Sequence, residues 1–244
     1  MSETLAERLA AVRERVAAAA RRAGRSPEEV TLVGVAKGVP AERIAEAVEA
    51  GLDHVGENYH QEARAKLPEL RARLEAFGLP LPRLHFVGRL QRNKAREIAR
   101  DFDVVESVDR VELGAELERR AAEAGRELRV LLQVNQDSEA SKGGVPPEAL
   151  HQLLAESASW KHLCVAGLMA IPAPRATPEA SRAAFARLRE LARALRRQPG
   201  GGSLRELSMG MSADFEVAIE EGATSVRIGT AIFGPRRRGG GDPA

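Results

Sequence analysis

The sequence is almost without cysteine, because Cys164 is the single one among 244 residues. One thiol excludes an internal disulfide and any metal site built from several cysteines. Cys164 lies in a short apolar run between Leu163 and Val165, which predicts an unreactive thiol in the core. The five histidines lack the spacing of metal ligands, so no metal site is expected.

Long apolar runs are also missing. The N-terminal stretch is rich in arginine and amphipathic, and it lacks the apolar centre of a signal peptide. No uninterrupted apolar segment approaches the length that a membrane-spanning helix needs. The expectation is a cytoplasmic protein without membrane contact.

Neither sign of charge dominates, since 37 basic and 35 acidic residues give a formal net charge of +2. A nucleic-acid-binding protein usually concentrates its positive charge in a patch. Here acids and bases alternate along helical segments, as in Arg187, Arg189 and Glu190, which is typical of solvated faces. We therefore expect no nucleic-acid partner. Only five of the basic residues are lysines, so the setting of each lysine can be weighed individually.

The composition is that of an ordinary globular protein, with 43% hydrophobic and 30% charged residues. Thr4 and Glu7 have the spacing of a capping box, which predicts a first helix from Thr4 to Arg22. After Gly24 the chain alternates eight times between a short β-type run and a helical pattern. The predicted strands are residues 30–36, 54–56, 84–88, 104–108, 128–134, 163–170, 206–209 and 225–228. The predicted helices between them begin near Ala41, Gln61, Asn93, Arg110, Pro147, Pro178 and Asp214.

Alternating strands and helices imply parallel pairing with right-handed crossovers. Eight such units close a barrel, whereas five or six favour an open sheet. Neither of the two common nucleotide-binding motifs of open sheets, G-x-G-x-x-G or the P-loop, occurs in the sequence. The predicted fold class is α/β, a single-domain (β/α)8 TIM barrel with an extra N-terminal helix, over residues 1–235. Residues 236–244 are predicted to be a flexible basic and glycine-rich tail.

Lys37 stands out because it ends the first apolar run, at the end of the barrel where function gathers. By the alternation of a strand it shares a face with Val33 and Val35, so its amine is expected to point into the barrel mouth. Apolar surroundings lower the pKa of an amine, and a neutral amine can attack an aldehyde. The alternative is a lysine that escapes to solvent just beyond a strand.

Small and hydroxyl-bearing residues follow the last two predicted strands, at 208–212 and 227–230. In a barrel these positions supply a phosphate site from backbone N–H groups and a helix N-terminus. Each segment alone is equally consistent with ordinary turn chemistry. A strand-one lysine opposite a phosphate site fits a phosphorylated aldehyde bound as an imine, and pyridoxal 5′-phosphate is the commonest such cofactor.

With these features the chain resembles the pyridoxal phosphate homeostasis proteins, single-domain relatives of the alanine racemase N-terminal barrel. The resemblance covers about residues 5 to 235. Its motifs are LVGVAK (32–37), GENYHQE (56–62), HFVGRLQRNK (85–94), SKGG (141–144), GLMAIP (167–172), LSMGMS (207–212) and RIGTAIFG (227–234).

The resemblance implies a set of cofactor-binding residues, namely Lys37, Asn58, Ser208, Met209, Ser212, Arg227, Gly229 and Thr230. Lys37 is expected to form the Schiff base, and Arg227 to face the pyridine nitrogen. Ser212, Gly229 and Thr230 are expected to bind the phosphate. A guanidinium beside the pyridine nitrogen disfavours its protonation, which makes the ring a poorer electron sink.

Two positions depart from the family pattern. The family usually has serine or threonine before the lysine and threonine after it, whereas this chain has Ala36 and Gly38. The loss of these hydroxyls puts the cofactor affinity in doubt. Lys142 is either a loop residue with a role in cofactor transfer, as the family suggests, or a solvated lysine.

The resemblance implies a monomer that stores, buffers or delivers pyridoxal phosphate, with pyridoxal phosphate-dependent apoenzymes as further partners and no dedicated catalysis. The racemases carry a second domain and a partner-subunit tyrosine as opposing base, whereas this chain ends after the eighth strand and has one tyrosine, Tyr59. One alternative is a pyridoxal phosphate-dependent amino-acid racemase or related enzyme. Another is a cofactor-free Schiff-base aldolase.

Overall fold

A computed structural model describes residues 3–137 and 143–235 of the chain. Its first helix, α1 (Leu5–Arg22), begins at the predicted capping box, in which Thr4 Oγ1 accepts from Glu7 N at 3.2 Å and Glu7 Oε2 accepts from Thr4 N at 2.7 Å. These two bonds satisfy backbone donors that the first turn of a helix leaves open. The side chains of α1 that repeat at helical spacing, Leu9 and Val12 among them, are buried.

Eight strands and eight further helices alternate along the described chain after α1. The strands are β1 (Thr31–Val35), β2 (His54–Glu57), β3 (Arg83–Phe86), β4 (Val104–Val108), β5 (Leu128–Val134), β6 (Leu163–Ala170), β7 (Glu206–Ser208) and β8 (Ser225–Ile228). The helices are α2 (Ala41–Glu49), α3 (His60–Ala76), α4 (Ala95–Asp101), α5 (Val111–Glu123), α6 (Leu150–Ser157), α7 (Arg182–Leu195), α8 (Phe215–Glu220) and α9 (Thr230–Phe233).

The strands form a closed parallel barrel in chain order. β1 pairs with β8 from Thr31 opposite Ser225 to Gly34 opposite Ile228, and this seam closes the sheet. The predicted fold class, a single-domain (β/α)8 TIM barrel with an extra N-terminal helix, is confirmed. Because β1 lies beside β8, the residues that follow these two strands meet at one mouth of the barrel.

The main hydrophobic core lies between the sheet and the surrounding helices, and it includes Leu9, Ile44, Phe102, Leu117 and Phe185. Burial of such a side chain contributes about 1.5–3 kcal/mol. A second, smaller cluster consists of Leu131, Ala166 and Met169.

The expectation that Cys164 is a core thiol is wrong, because its side chain is exposed. Cys164 is the second residue of β6 and lies in register with Arg129, at the N-terminal rim of the barrel. Its strand neighbours Leu163 and Val165 are buried. An apolar run predicts that a strand is buried on average, but successive side chains of a strand point to opposite faces.

Two helices begin later than predicted. α6 starts at Leu150 and α7 at Arg182, each after a short 3₁₀ turn that begins near the predicted proline. Such turns are frequent at helix N-termini. Among the described helices none combines the length and apolarity that crossing a membrane requires. Lys142 and the predicted tail, residues 236–244, lie outside the described residues.

Candidate functional site

Lys37 lies just beyond β1 at the C-terminal mouth of the barrel, with its side chain partly buried. Its Nζ donates to the hydroxyl of Tyr59 at 3.1 Å and lies 4.7 Å from the centroid of the same ring. Val33 and Val35 of β1 point to the inside of the barrel, where both approach Gly56 of β2. Lys37 continues this alternation, so its amine is placed at the mouth.

The backbone on both sides of Lys37 is held in place by neighbouring elements. Ala36 N donates to Gly56 O at 2.8 Å, and Ala36 O accepts from Lys66 Nζ at 3.0 Å. Gly38 N donates to Glu62 Oε1 at 2.6 Å. Gly38 has a φ of +72°, a conformation that glycine adopts without strain. The departure from the family pattern at position 38 therefore coincides with a tight turn.

Beneath this turn, Glu57 is buried and ion-paired. Its Oε1 lies 2.7 Å from Lys66 Nζ, whereas its Oε2 has no hydrogen-bond partner among the described residues. Burial raises the pKa of Glu57 to about 7, even though the charge of Lys66 opposes the shift. Lys66 also contacts Glu62 at 2.8 Å, so one lysine connects two acids to the backbone next to Lys37.

Asn58 follows β2 and offers an unused acceptor at the mouth. Its Oδ1 is buried, with no hydrogen-bond partner in the described part of the chain. Gly88 packs so closely that a Cβ there would collide with the carbonyl of Asn58. Asn58 and Tyr59 also border an open groove of about 890 Å³, which Arg89, Lys94 and Arg110 line farther out. A buried acceptor without a protein partner is suited to accept a hydrogen bond from a ligand.

Arg227 lies inside the barrel, with only 4% of its surface exposed. Its Nη2 donates to Ala170 O at 2.9 Å, its Nη1 donates to Ser208 Oγ, and Nη1 lies 3.6 Å from Glu106 Oε2. Burial lowers the pKa of Arg227, and the nearby Glu106 carboxylate opposes that shift. Because the guanidinium group of arginine keeps its proton in proteins, Arg227 is the buried cation of this site.

A chain of hydrogen bonds runs from Arg227 through the barrel to its opposite end. We call its five residues, His54, His85, Glu106, Ser208 and Arg227, the axial network. Ser208 Oγ donates to Glu106 Oε2 at 2.5 Å, Glu106 Oε1 lies 2.7 Å from His85 Nδ1, and His85 Nε2 lies 2.8 Å from His54 Nδ1.

The electrostatics of the axial network favour an ionised Glu106. Burial alone would raise the pKa of Glu106, but hydrogen bonds from His85 and Ser208 and the charge of Arg227 outweigh it, so the pKa is lowered. Burial lowers the pKa of His54, and the neighbouring His85 adds to the effect. The network therefore contains a carboxylate that compensates the buried guanidinium.

The residues predicted at the phosphate lie in the loops after β7 and β8. Ser212 Oγ accepts from Ala231 N at 3.4 Å, and Thr230 begins α9, where first-turn N–H groups lack acceptors within the helix. Gly229 lies against β1, because a Cβ there would be 3.2 Å from Val35 O. The structure thus brings Ser212, Gly229 and Thr230 to the mouth that Lys37 occupies.

Two predicted pocket residues have other surroundings. The Met209 side chain is fully buried in the main hydrophobic core, so it packs the sheet against the helices. The Ser208 hydroxyl is used by its bonds to Arg227 and Glu106. Both residues therefore stabilise the structure around the site. Within residues 3–137 and 143–235 no group of three or more histidine, cysteine, aspartate or glutamate side chains could hold a metal ion.

Comparison with known proteins shows to which family the chain belongs. A family model for the alanine racemase N-terminal domain matches residues 8–237. A pyridoxal phosphate homeostasis protein of Pseudomonas aeruginosa is 48% identical over 97% of each chain. The chain belongs to the pyridoxal phosphate homeostasis protein family.

Two further relatives extend this result. A pyridoxal phosphate homeostasis protein of Escherichia coli is 42% identical over 95% of this chain and 97% of its own. The solved structure of PipY from Synechococcus elongatus, with pyridoxal phosphate bound, superposes with a TM-score of 0.82 at 38% identity. It covers 95% of this chain and 100% of PipY. The structural similarity to PipY therefore covers the whole barrel.

Sequence reasoning missed four members of the site, namely Tyr59, Lys66, His85 and Glu106. His85 is buried and is hydrogen-bonded to two ionisable partners. Glu106 had a usable signal, because it is an acid inside the otherwise apolar strand β4. A buried carboxylate needs a partner, and Arg227 is the cation that the barrel brings to it.

Proposed function

We propose that this chain binds pyridoxal 5′-phosphate as a Schiff base on Lys37 and acts in its storage, buffering or delivery inside the cell. The observation that supports this most directly is the position of the Lys37 amine, at the mouth where the loops after β7 and β8 also end. The pyridoxal phosphate-bound structure of PipY, 38% identical over 95% of this chain, supports the same cofactor.

Each residue at the mouth has a role that its surroundings allow. The cofactor supplies an aldehyde for the covalent bond, an aromatic ring and a phosphate. Lys37 provides the amine, Asn58 offers its unpaired Oδ1 to the ring substituents, and Ser212 with the N–H groups of Gly229 and Thr230 binds the phosphate. Ser208 positions Arg227, and Met209 holds the strand from the core side.

In this proposal Arg227 controls the protonation of the cofactor ring. Its guanidinium is held by Ala170 O, Ser208 and Glu106, so it cannot swing away from the barrel interior without leaving Glu106 buried and uncompensated. A fixed guanidinium at this position would disfavour protonation of a pyridine nitrogen placed beside it. Arg227 therefore limits carbanion chemistry, which suits a protein that holds the cofactor more than one that turns substrates over.

The alternative function is an amino-acid racemase or a related pyridoxal phosphate-dependent enzyme. Racemisation through two bases needs one base on each side of the substrate carbon. The single tyrosine, Tyr59, lies 3.1 Å from Lys37 Nζ, so the two groups are direct neighbours and do not face each other across a gap. This geometry favours the binding function.

The two functions differ in deuterium exchange. We expect that the cofactor-loaded protein, incubated with L- or D-alanine in deuterated water, incorporates deuterium at Cα no faster than free pyridoxal phosphate at the same concentration. The measurement is proton NMR of the amino acid over time. Sustained exchange at enzymatic rates that a Tyr59→Phe variant loses would establish the racemase instead.

The covalent bond is tested by trapping. Borohydride reduction of the purified yellow protein should fix the cofactor on the peptide that contains Lys37, as read by mass spectrometry. A Lys37→Ala variant should remain folded and lose the chromophore, because its side chain is only partly buried. Lys94→Ala, which removes an ammonium from the adjacent groove, is the matched control and should label normally. Covalent cofactor in Lys37→Ala, or on another residue of the unaltered protein, would contradict the assignment.

Delivery to apoenzymes is the finer part of the proposal. The groove of about 890 Å³ is lined by Asn58 and Tyr59, and Tyr59 is the residue to which the Lys37 amine donates. An amine on a partner protein could therefore approach the bound aldehyde from this side. The proposed partners are pyridoxal phosphate-dependent apoenzymes, and the proposed location is the cytoplasm.

A further inference from the structure

The N-terminal end of the barrel, opposite Lys37, contains a cavity with charged and hydroxyl-bearing residues in its lining, and the proposed function does not use it. Its volume is about 290 Å³. It lies among the first residues of several strands, including Thr31, His54, Arg83 and Ser225, with Arg205 just before β7. We call it the lower cavity.

The acids that line the lower cavity all have partners. Glu29 accepts from Ser26 N at 2.9 Å and from Arg25 Nε at 3.3 Å. Glu206 accepts from Arg129 Nε at 2.8 Å, and Glu106 is satisfied by the axial network. Each carboxylate that lines the lower cavity is therefore matched by a cation or a hydrogen-bond donor.

The groups that remain without partners at the lower cavity are donors. The guanidinium groups of Arg83 and Arg205 line it, and neither makes a hydrogen bond or ion pair with any residue in 3–137 or 143–235. Ser225 also lines it, is 7% exposed, and has a buried Oγ without a hydrogen-bond partner in the same described ranges. An unsatisfied buried hydroxyl is unfavourable unless a bound molecule or ordered water completes it.

We propose that the lower cavity binds a small oxyanion, the carboxylate or phosphate group of a metabolite, between Arg83 and Arg205 and on the Ser225 hydroxyl. Two cations and one buried donor match the charge and the acceptor oxygens of such a group. The volume of about 290 Å³ accommodates a small metabolite. His54 lines the same cavity, so its ring reports on whatever binds there.

The test uses the ring resonances of the histidines, of which the chain has five, in the cofactor-loaded protein labelled with ¹⁵N-histidine. Inorganic phosphate and succinate are titrated separately at constant ionic strength, with sodium chloride as reference. We expect a saturable shift of the His54 resonances with at least one of the two oxyanions, and the stronger of the two identifies the class. The proposal would be overturned if phosphate and succinate each shifted the His54 resonances linearly with concentration and by the same amount as chloride.

Variants locate the binding. Arg83→Ala/Arg205→Ala should weaken the affinity at least tenfold, and Ser225→Ala should weaken it severalfold. Arg64→Ala/Arg71→Ala removes two exposed arginines of α3 and should leave the affinity unchanged. Ser212→Ala, at the opposite mouth, should also leave it unchanged. Unaltered affinity in the Arg83/Arg205 variant, or its loss in Ser212→Ala, would refute a site at the lower cavity.

Discussion

At the scale of single residues, Glu57 couples the stability of the protein to pH. Burial raises its pKa from 4.5 to about 7, so the folded protein holds this proton more tightly than the unfolded chain does. The associated stability is fully present below about pH 4.5 and is lost as pH rises towards 7. A shift of this size corresponds to about 3 kcal/mol. We expect Glu57→Gln to remove this part of the pH dependence.

The measurement is the free energy of urea unfolding between pH 5 and 8 for the unaltered protein and Glu57→Gln. The unaltered protein should lose stability relative to the variant as pH rises. Glu69→Gln is a control, because Glu69 forms an exposed pair with Arg73 on α3, and exposed pairs contribute little. Parallel pH profiles for the unaltered protein and Glu57→Gln would show that Glu57 titrates normally.

The sequence could predict the residues whose role follows from their place on a strand. The position of Lys37 and of the loops after β7 and β8 at one mouth was predictable in this way, whereas their roles toward a cofactor stay predictions. Glu106 could not be assigned, because its partner Arg227 is brought to it only by the closure of the barrel. Tyr59 was missed for a related reason, since a loop residue has no periodicity that fixes the direction of its side chain.

At the scale of elements, Gly88 is required by the contact between the loops that follow β2 and β3. Gly88→Ala would place a Cβ against the carbonyl of Asn58. Because backbone must move to relieve this collision, we expect a loss of about 1–3 kcal/mol in the free energy of unfolding. We also expect faster release of pyridoxal phosphate, because Asn58 moves.

Gly202→Ala is the matched control, since no atom lies within 4 Å of a Cβ at that position. It should change the unfolding free energy by less than about 0.5 kcal/mol. Stability follows from urea titration, and cofactor release from the decay of the visible absorbance after dilution. Equal behaviour of the two alanine variants would mean that the contact between Gly88 and Asn58 does not constrain the loops.

The positions of the elements were largely predictable because each strand and helix has a distinct periodicity. β4, β5, β6 and β8 have the predicted bounds. The later starts of α6 and α7 were not predictable, since proline is equally compatible with a 3₁₀ turn and with the first turn of an α-helix. The exposure of Cys164 was not predictable, since a wholly apolar run does not show which of its side chains face outward at the rim of the barrel.

At the scale of the whole molecule, we expect a monomer. The exposed large hydrophobic side chains of the described residues are Tyr59, Phe77 and Met211, and stable homodimers need a contiguous apolar face. Phe77 lies at the end of α3, whereas Tyr59 and Met211 follow β2 and β7 at the mouth. Sedimentation velocity at micromolar concentration should give a single monomeric species with or without cofactor. A concentration-dependent dimer would contradict this expectation.

Because β1 pairs with β8, the two sides of the mouth come together only late in synthesis and folding. The ribosome makes Lys37 well before it makes Arg227, Gly229 and Thr230. A nascent or truncated chain that lacks β8 has the lysine without its counterparts across the seam. On the proposed function, retention of pyridoxal phosphate therefore requires a chain in which β8 has been made and has closed the barrel.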